Sequence, residues 1–257
     1  MTIIKLIGKL EGNMNNTIEL LMNHMSIRKY KNEPVSRETI DTIIKCGQMA
    51  PTSSHFQYYT IIEVKDQLKK DFLSETAGGQ IWVKQAPVVL LFCADLNRAK
   101  KYFEDTDKEV FSNTESYTVA VIDASLAMQK SFIAAQSLGL GGVVVGGIRN
   151  DVEAVAKEFK LPDMVAPLFL LCLGYPDENP GLKPRLPQEE IHKINFYDDS
   201  KQEAFINEYN ETVKNYYINR TNGKIQDTWT KRSGSNLMAK TRDDLGVFFR
   251  KIGFLKK

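Results

Sequence analysis

Residues 171–187 read LCLGYPDENPGLKPRLP, an apolar run that breaks into a loop rich in proline and glycine. The apolar part ends a buried strand that we predict over residues 165–173, where Pro167 indicates a strand start or a sheet edge. In the loop, Pro184 fixes its own φ and restricts Lys183, so the cations Lys183 and Arg185 lie on a stiffened, extended segment. Such a segment suits the binding of an anion, but a solvated charged loop fits the local sequence equally well.

The flanking sequence alternates short apolar runs with amphipathic ones, which predicts an α+β fold. Runs rich in β-branched and aromatic residues predict three further strands, at residues 58–64, at residues 88–94 and within the glycine-bracketed stretch 138–149. Capping residues and helical spacing predict seven helices. Three of them start after caps at Asn16, Ser36 and Asn150, and three cover residues 66–75, 117–138 and 201–217. The final helix carries Leu237, Leu245, Val247, Phe248 and Phe249.

The helix predicted at residues 117–138 is rich in alanine, with Ala120, Ala124 and Ala127 on its length. Alanine combines a high helix propensity with little bulk, so another helix can approach closely. We therefore expect this helix to be central to the fold or to lie at a subunit interface.

Composition limits the class of protein. The 257 residues are 42% hydrophobic and carry a formal charge of +2, without the long basic block that binds nucleic acid phosphates. The three cysteines are far apart in apolar surroundings, which favours free thiols in a reducing compartment, and no uncharged run reaches the length of a membrane helix. We expect a cytoplasmic protein with no nucleic acid or membrane partner. Since Met14 offers a second start, residues 1–13 are interpreted as an extension to one domain over residues 14–257.

Common catalytic signatures are absent from the sequence. It contains no Gly-x-Ser-x-Gly, no P-loop and no Rossmann fingerprint at a strand-to-helix turn, and its three histidines give poor support for a metal centre. What remains is a set of polar and glycine positions scattered among apolar strands. Arginine forks, hydroxyls, backbone N–H groups and carboxamides are together what a phosphorylated planar cofactor needs.

Six short motifs, in collinear order over residues 15–229, resemble the nitroreductase superfamily, and more closely its NADPH-preferring flavin reductase and oxygen-insensitive nitroreductase group. The combination of a Ser-Ile-Arg element with a Lys-Pro-Arg-Leu-Pro loop is the specific part of the resemblance. The motifs are HMSIRKY at 24–30, APTSS at 50–54, GGQ at 78–80, LGLGG at 138–142 with GGIRN at 146–150, LGYP at 173–176 and KPRLP at 183–187.

The resemblance implies a homodimer with a central, mostly antiparallel sheet flanked by helices, a helical C-terminal excursion, and FMN bound without a covalent bond at the subunit interface. By position, the FMN phosphate region would be contacted by one group of residues, the turn of the other subunit would add a second group, and the flavin ring would lie along a third. The first group is His24, Ser26, Arg28, Lys183 and Arg185, the second is Thr52, Ser53 and Ser54, and the third is Gln80, Val145, Gly146 and Gly147. Gln57 is a further predicted FMN contact.

For the nicotinamide donor, Arg220 resembles an NADPH-contacting arginine, and Lys224 stands nearest to a second arginine found in some relatives. The function implied is ping-pong hydride transfer from NADPH through FMN to flavins, nitroaromatics or quinones, with no side chain acting as an acid or base and no metal. The alternatives are a dedicated FMN reductase, a flavin-binding or redox-sensing protein with little turnover, and a plain structural domain that binds no FMN.

Overall fold

The computed structural model describes residues 15–257, which divide into two compact units. The first unit comprises the described residues up to Pro180 together with Arg242–Lys257, and the second is Gly181–Thr241. The extension predicted at residues 1–13 lies outside the described residues.

The first unit is built on a four-stranded antiparallel sheet, which confirms the predicted α+β class. Its strands lie in the order β1-β2-β4-β3, so β1 and β3 are the edges. The strands are β1 (Tyr59–Glu63), β2 (Val88–Asp95), β3 (Gly141–Val145) and β4 (Val165–Gly174).

Pro167 lies near the start of a central strand, so of the two predicted alternatives the strand start is confirmed and the sheet edge is wrong. It is the third residue of β4, and β4 pairs with β2 on one side and β3 on the other. The register shifts here: Phe92 pairs with Phe169 and Cys93 with Pro167, which leaves Leu168 as an extra residue on β4. A bulge of this kind removes the need for a ladder N–H, and it explains how a central strand accommodates proline.

The helices of the first unit flank the sheet on both faces. They begin mostly at side-chain caps, including the predicted cap Ser36, whose oxygen accepts the N–H of Thr39. These helices are α1 (Asn16–Met22), α2 (Arg37–Gln48), α3 (Gln67–Thr76), α4 (Ile81–Gln85), α5 (Asn97–Tyr102), α6 (Thr114–Ser137), α7 (Val152–Glu158) and, near the C-terminus, α11 (Leu245–Lys251).

Alternate residues of β2 point into two separate cores. Leu90 and Phe92 pack with the alanines of α6 and with α2, whereas Leu91 and Cys93 pack with α3, α4 and α7. The predicted central role of the alanine-rich helix is confirmed, since Ala120, Ala124 and Ala127 are fully buried. A Cβ on Gly47 of α2 would lie 2.2 Å from Ser131 Oγ of α6, so the two helices meet as closely as the small residues allow.

One helix among residues 15–257, α6, is long and apolar enough to cross a membrane by length and composition alone. Half of its apolar window is buried within the fold. The sheet packs against this buried half, which is the pattern of a core helix.

The second unit is helical and has its own small core. Its helices are α8 (Gln188–Ile191), α9 (Gln202–Thr221) and α10 (Trp229–Met238). Tyr209, Val213 and Tyr217 on α9 form the core, with Trp229 of α10 packed against it. Two boundaries differ from the sequence prediction: α9 extends four residues beyond 217, and the single final helix is two helices, α10 and α11.

The helix after β3 begins one residue later than predicted. Asp151, and not Asn150, caps α7 by accepting the N–H of Ala154. Residues 147–151 form a short 3-10 turn, and the side chain of Asn150 instead donates to Thr76 O and accepts from Arg242 Nε. The first cap is likewise shifted, from Asn16 to Asn15.

Candidate functional site

The segment Ser26–Tyr30 runs beside the edge strand β3. Ser26 forms a parallel bridge with Gly142, and the N–H of Ile27 donates to Gly142 O over 2.8 Å. Further along, the phenol of Tyr30 donates to Ile27 O. These bonds place the predicted ligands Ser26 and Arg28 at the sheet edge that leads to Val145.

Glu178 holds the backbone of this segment from behind. Its Oε1 accepts the N–H groups of Arg28 (2.6 Å) and Lys29 (3.1 Å). The Arg28 guanidinium forms no ion pair within 4 Å with any of residues 15–257 and lies 5.4 Å from the ring centroid of Trp82. Arg28 therefore presents an unneutralised fork of donors whose position is fixed.

The glycine pair after β3 packs against the loop that carries Gln80. A Cβ on Gly147 would lie 2.7 Å from both Ala77 O and Gln80 Nε2, so only glycine allows this approach. Gln80 Nε2 donates to Ala77 O over 2.7 Å. Gln80 contacts Gly147 at the end of β3, and Trp82, two residues further along on α4, lies against Arg28. These predicted flavin contacts therefore form one cluster.

The neighbouring residues complete this cluster. A Cβ on Gly146 would lie 2.7 Å from the guanidinium of Arg149, which donates to Leu168 O. Burial, and then the charge of Arg242, lower the pKa of Arg149. The side chain of His24, two residues before Ser26, packs instead against α6, where its Nδ1 lies 3.2 Å from Gln136 Nε2 and its ring stands edge-on to Phe132.

The predicted turn at residues 52–57 is strained and is held from α6. Ser54, His55 and Gln57 all have positive φ, between 45° and 59°, which non-glycine residues rarely adopt. Asp123, 1% exposed, accepts the N–H groups of Ser53 (3.3 Å) and Tyr58 (3.0 Å) at the two ends of the turn. The sequence analysis missed Asp123; its signal was a lone carboxylate within the alanine stripe of a helix.

Arg98 holds the same turn through its carbonyls. Its guanidinium donates to Gln57 O (3.3 Å) and Tyr59 O (3.4 Å), and also to Thr60 and Asp95. Asp123 thus holds the backbone N–H groups of the turn, and Arg98 holds its backbone carbonyl groups. The turn exposes Ser53, Ser54 and Gln57, as a binding turn requires.

The two sets of predicted FMN contacts in the first unit lie on different sides of the sheet. The turn precedes the edge strand β1 and is tied to α6, which packs on one face. Gln80 and Gly147 lie against α3 and α4, which pack on the other face, beside the opposite edge strand β3. β1 and β3 are separated by three strand spacings of about 4.8 Å.

In the second unit, the loop with Lys183 and Arg185 is packed against α9. Tyr209 Oη donates to Pro184 O over 3.0 Å, and Lys183 Nζ lies 5.8 Å from the ring centroid of Tyr217. Arg185 donates to Lys183 O, and both charged side chains are exposed. The loop is therefore stiffened by tertiary contacts as well as by its proline.

Arg220 and Lys224 lie at the C-terminal end of α9. Arg220 donates to Tyr216 Oη over 2.6 Å and covers the ring of the same tyrosine. Asn222 ends the helix in the left-handed conformation, and Lys224 follows it with an exposed side chain. The two predicted NADPH contacts are thus brought to one helix end.

Within residues 15–257, no group of three or more His, Cys, Asp or Glu side chains has the arrangement of a metal site. The donors that the fold does assemble are cations, hydroxyls and backbone N–H groups, which suit an anion.

Two family profiles match the chain, the nitroreductase family over residues 21–175 and the nitroreductase family C-terminal domain over residues 183–257. The chain belongs to the nitroreductase family. The predicted resemblance is confirmed.

Among relatives within the nitroreductase family, the chain is 41% identical over 248 residues to an FMN reductase (NADPH) of Bacillus subtilis, covering 95% of this chain and 100% of the relative. It is 38% identical over 241 residues to an oxygen-insensitive NADPH nitroreductase of Salmonella typhimurium, covering 94% and 99%. Among solved structures, the NfrA1 nitroreductase from B. subtilis has a TM-score of 0.91 at 40% identity, covering 94% of this chain and 100% of that one.

The cluster at β3 fits FMN in three respects. Arg28 offers a fixed guanidinium without an ionic partner, and Gly147 keeps a side chain away from the surface beside Gln80. Trp82 Nε1 is buried and has no hydrogen-bond partner among the described residues. Unused donors of this kind are what an anionic, hydrogen-bonding cofactor satisfies.

Proposed function

We propose that this protein is an FMN-dependent NAD(P)H oxidoreductase that prefers NADPH and reduces flavins, nitroaromatics or quinones. The observation that carries the proposal is Arg28, held over Trp82 without an ionic partner on a segment fixed by Glu178. This arrangement of Arg28 supports the proposal because the chain is 41% identical to an FMN reductase (NADPH) of Bacillus subtilis.

The residues of the chain bind and orient the cofactor. His24, Ser26 and Arg28 lie at the phosphate end, with Lys183 and Arg185 as further cations. Gln80 and the backbone of Val145, Gly146 and Gly147 border the ring, where glycine allows close approach of a flat group. FMN supplies the hydride chemistry when it is bound. No side chain is assigned an acid or base role, because water can deliver the protons.

The second copy of the chain is the natural source of the turn at residues 52–57. Within one chain, this turn and the cluster around Gln80 and Gly147 lie on opposite faces and opposite edges of the sheet. A homodimer allows the turn of one protomer, with Thr52, Ser53, Ser54 and Gln57, to face the cluster of the other. The fixed shape of the turn, held by Asp123 and Arg98, supports this role.

Arg220 and Lys224 are proposed to receive the 2′-phosphate of NADPH. Arg220 is presented at a helix C-terminus, where Tyr216 orients it and no carboxylate among the described residues within 4 Å neutralises it. The two family profiles match residues 21–175 and 183–257, which supports our proposal that residues 14–257 act as one functional domain. The three widely spaced cysteines support a reducing compartment, and we propose that the protein works in the cytoplasm.

The direct test is the absorbance spectrum of the purified protein before and after anaerobic addition of NADPH. We expect a yellow protein whose flavin band bleaches. A yellow protein that stays oxidised would instead identify a flavin-binding or redox-sensing protein with little turnover. Steady-state rates with FMN and with nitrofurazone then separate a dedicated FMN reductase from a general nitroreductase.

A further inference from the structure

A cavity opens on the first unit, and its lining begins at Lys29, directly after the proposed flavin contact Arg28. It has a volume of about 830 Å³ and lies between the chain after Lys29, helix α3 and the end of α4. None of the residues predicted to bind FMN or NADPH lines it. Its volume is within the range of small-molecule sites, roughly 300–1,000 Å³.

The wall of this cavity carries a buried ammonium group. Lys70 is 7% exposed, and its Nζ donates to Ala86 O (3.0 Å) and Pro87 O (3.2 Å), both of which line the same cavity. An ammonium has three N–H donors, so one donor has no partner among the described residues. Burial lowers the pKa of Lys70, and the nearby Cys172 and Glu63 only partly oppose this shift, so an anion in the cavity would stabilise the charged form.

Three more lysines, Lys29, Lys31 and Lys84, line the cavity with exposed side chains. Neither these three nor Lys70 forms an ion pair within 4 Å with any of residues 15–257. The acidic residues of the lining are Glu33 and Asp177. Four cations face two carboxylates, so the cavity has a formal excess of two positive charges and attracts anions.

We propose that this cavity binds a multivalent phosphate group, a di- or triphosphate, with Lys70 at its buried end and Lys31 and Lys84 at its mouth. Several ammonium groups act as separate point charges and suit the spread charge of a phosphate chain, whereas a planar carboxylate is matched better by an arginine fork. The cavity is also much larger than one phosphate ion needs.

The test uses inorganic triphosphate as the probe and the full-length chain saturated with FMN, studied by isothermal titration calorimetry at low ionic strength. We expect one site per chain whose affinity falls as salt is added. The double variant Lys31→Ala/Lys84→Ala should raise the Kd at least tenfold. Both side chains are exposed, so this variant keeps the core intact. Lys100→Ala/Lys101→Ala removes the same charge from α5, where Lys100 is half-buried, Lys101 is exposed and neither lines the cavity, and it should change the Kd less than twofold.

Arg220→Ala separates this cavity from the proposed NADPH contacts. Triphosphate binding that survives Arg220→Ala and is lost in Lys31→Ala/Lys84→Ala supports the proposal. Binding that is lost with Arg220→Ala, an equal loss in the two lysine pairs, or no heat of binding to the FMN-loaded protein overturns it. Lys70→Met, provided that its unfolding transition matches that of the parent protein, should abolish binding, and unchanged binding would overturn the role of Lys70.

Discussion

The carboxylate of Asp123 lies 3.0 Å from the backbone nitrogen of Tyr58 and accepts its N–H. Its other oxygen accepts the N–H of Ser53. One side chain in the middle of the longest helix therefore fixes both ends of a turn in which three non-glycine residues have positive φ. The rigidity of the turn is set by the core and not by the turn's own sequence.

We expect Asp123→Asn to destabilise the protein by about 1–3 kcal/mol, because an amide turns an N–H₂ group toward one of the two backbone donors and leaves it unpaired. FMN retention should fall with it, since the turn loses its fixed shape. Urea unfolding and FMN fluorescence titration measure the two effects. Asp105→Asn, at an exposed position with φ of 49°, should change neither. Equal behaviour of the two variants would contradict the role of Asp123.

Gly147→Ala should weaken FMN binding and lower stability by about 1–3 kcal/mol, the usual cost of overpacking. The new Cβ would lie 2.7 Å from Ala77 O and Gln80 Nε2, so the Gln80 loop must move. Gly234→Ala, where nothing lies within 4 Å, is the matched control and should be neutral or slightly stabilising. Thermal unfolding with and without added FMN distinguishes the two; an intact flavin affinity in Gly147→Ala would count against the placement.

Arg28→Ala and Arg185→Ala should each weaken FMN binding by about 1.5–3 kcal/mol, or roughly 10- to 150-fold in Kd, because phosphate loses a charged donor pair. Fluorescence quenching of FMN on titration gives the Kd. Arg250→Ala, an exposed arginine on α11, serves as the control. If FMN affinity were unchanged in both test variants, the proposed phosphate end would be wrong.

Arg220→Ala should raise the KM for NADPH far more than the KM for NADH, because only NADPH carries the 2′-phosphate. Steady-state kinetics with each donor measure this, and NADH is the internal control. Equal increases for the two donors would contradict a 2′-phosphate role.

The free energy of unfolding should decline as the pH rises from about 9 to 12. Burial raises the pKa of the Cys172 thiol from 9 to about 12, and burial also raises the pKa of Tyr117 from 10 to about 12. Above pH 9 for Cys172 and above pH 10 for Tyr117, the unfolded chain has lost a proton that the folded chain keeps, so each group lowers stability by about 1.4 kcal/mol per pH unit up to about pH 12. Burial also raises the pKa values of Cys93 and Tyr30, so these two groups add to the decline.

Two variants separate these contributions. Cys172→Ala should make the fall in unfolding free energy with pH less steep between pH 9 and 12. Tyr117→Phe should make it less steep only between pH 10 and 12. Urea unfolding across this range provides the measurement, and each variant's own cost at pH 8 is subtracted first. A slope identical in all three proteins would show that neither group sets the alkaline limit.

Local signals in the sequence were sufficient for elements that carry their own start and stop residues. Ser36 caps α2 as predicted, and the apolar run before Asp95 forms β2. The prediction failed where a distant residue decides. Asn150 has the chemistry of a cap, but Thr76 and Arg242 occupy its side chain. For Pro167 the predicted strand start was right, but the alternative of a sheet edge was wrong because a bulge accommodates the proline in a central strand.

The residues of the candidate site also divide into those that the local sequence predicts and those that only the fold reveals. Ser26, Arg28 and Gly147 belong to short motifs and were predicted. Glu178 positions the backbone of Arg28, and Asp123 and Arg98 position the turn at residues 52–57. The local sequence around these three residues does not identify the backbone groups that they bind. Only the fold, which brings Glu178 to Arg28, reveals them.

The anchoring of the segment Ser26–Tyr30 determines the order of events during biosynthesis. Ile27 is held by Gly142 and Lys31 by Tyr175, while the partner of Arg28 lies 150 residues further along the chain. Contacts of such separation cannot form until the later residues have left the ribosome. An N-terminal segment that is among the first to be synthesised therefore gains its shape only after Glu178 has emerged, and loading of the cofactor follows translation of most of the protein.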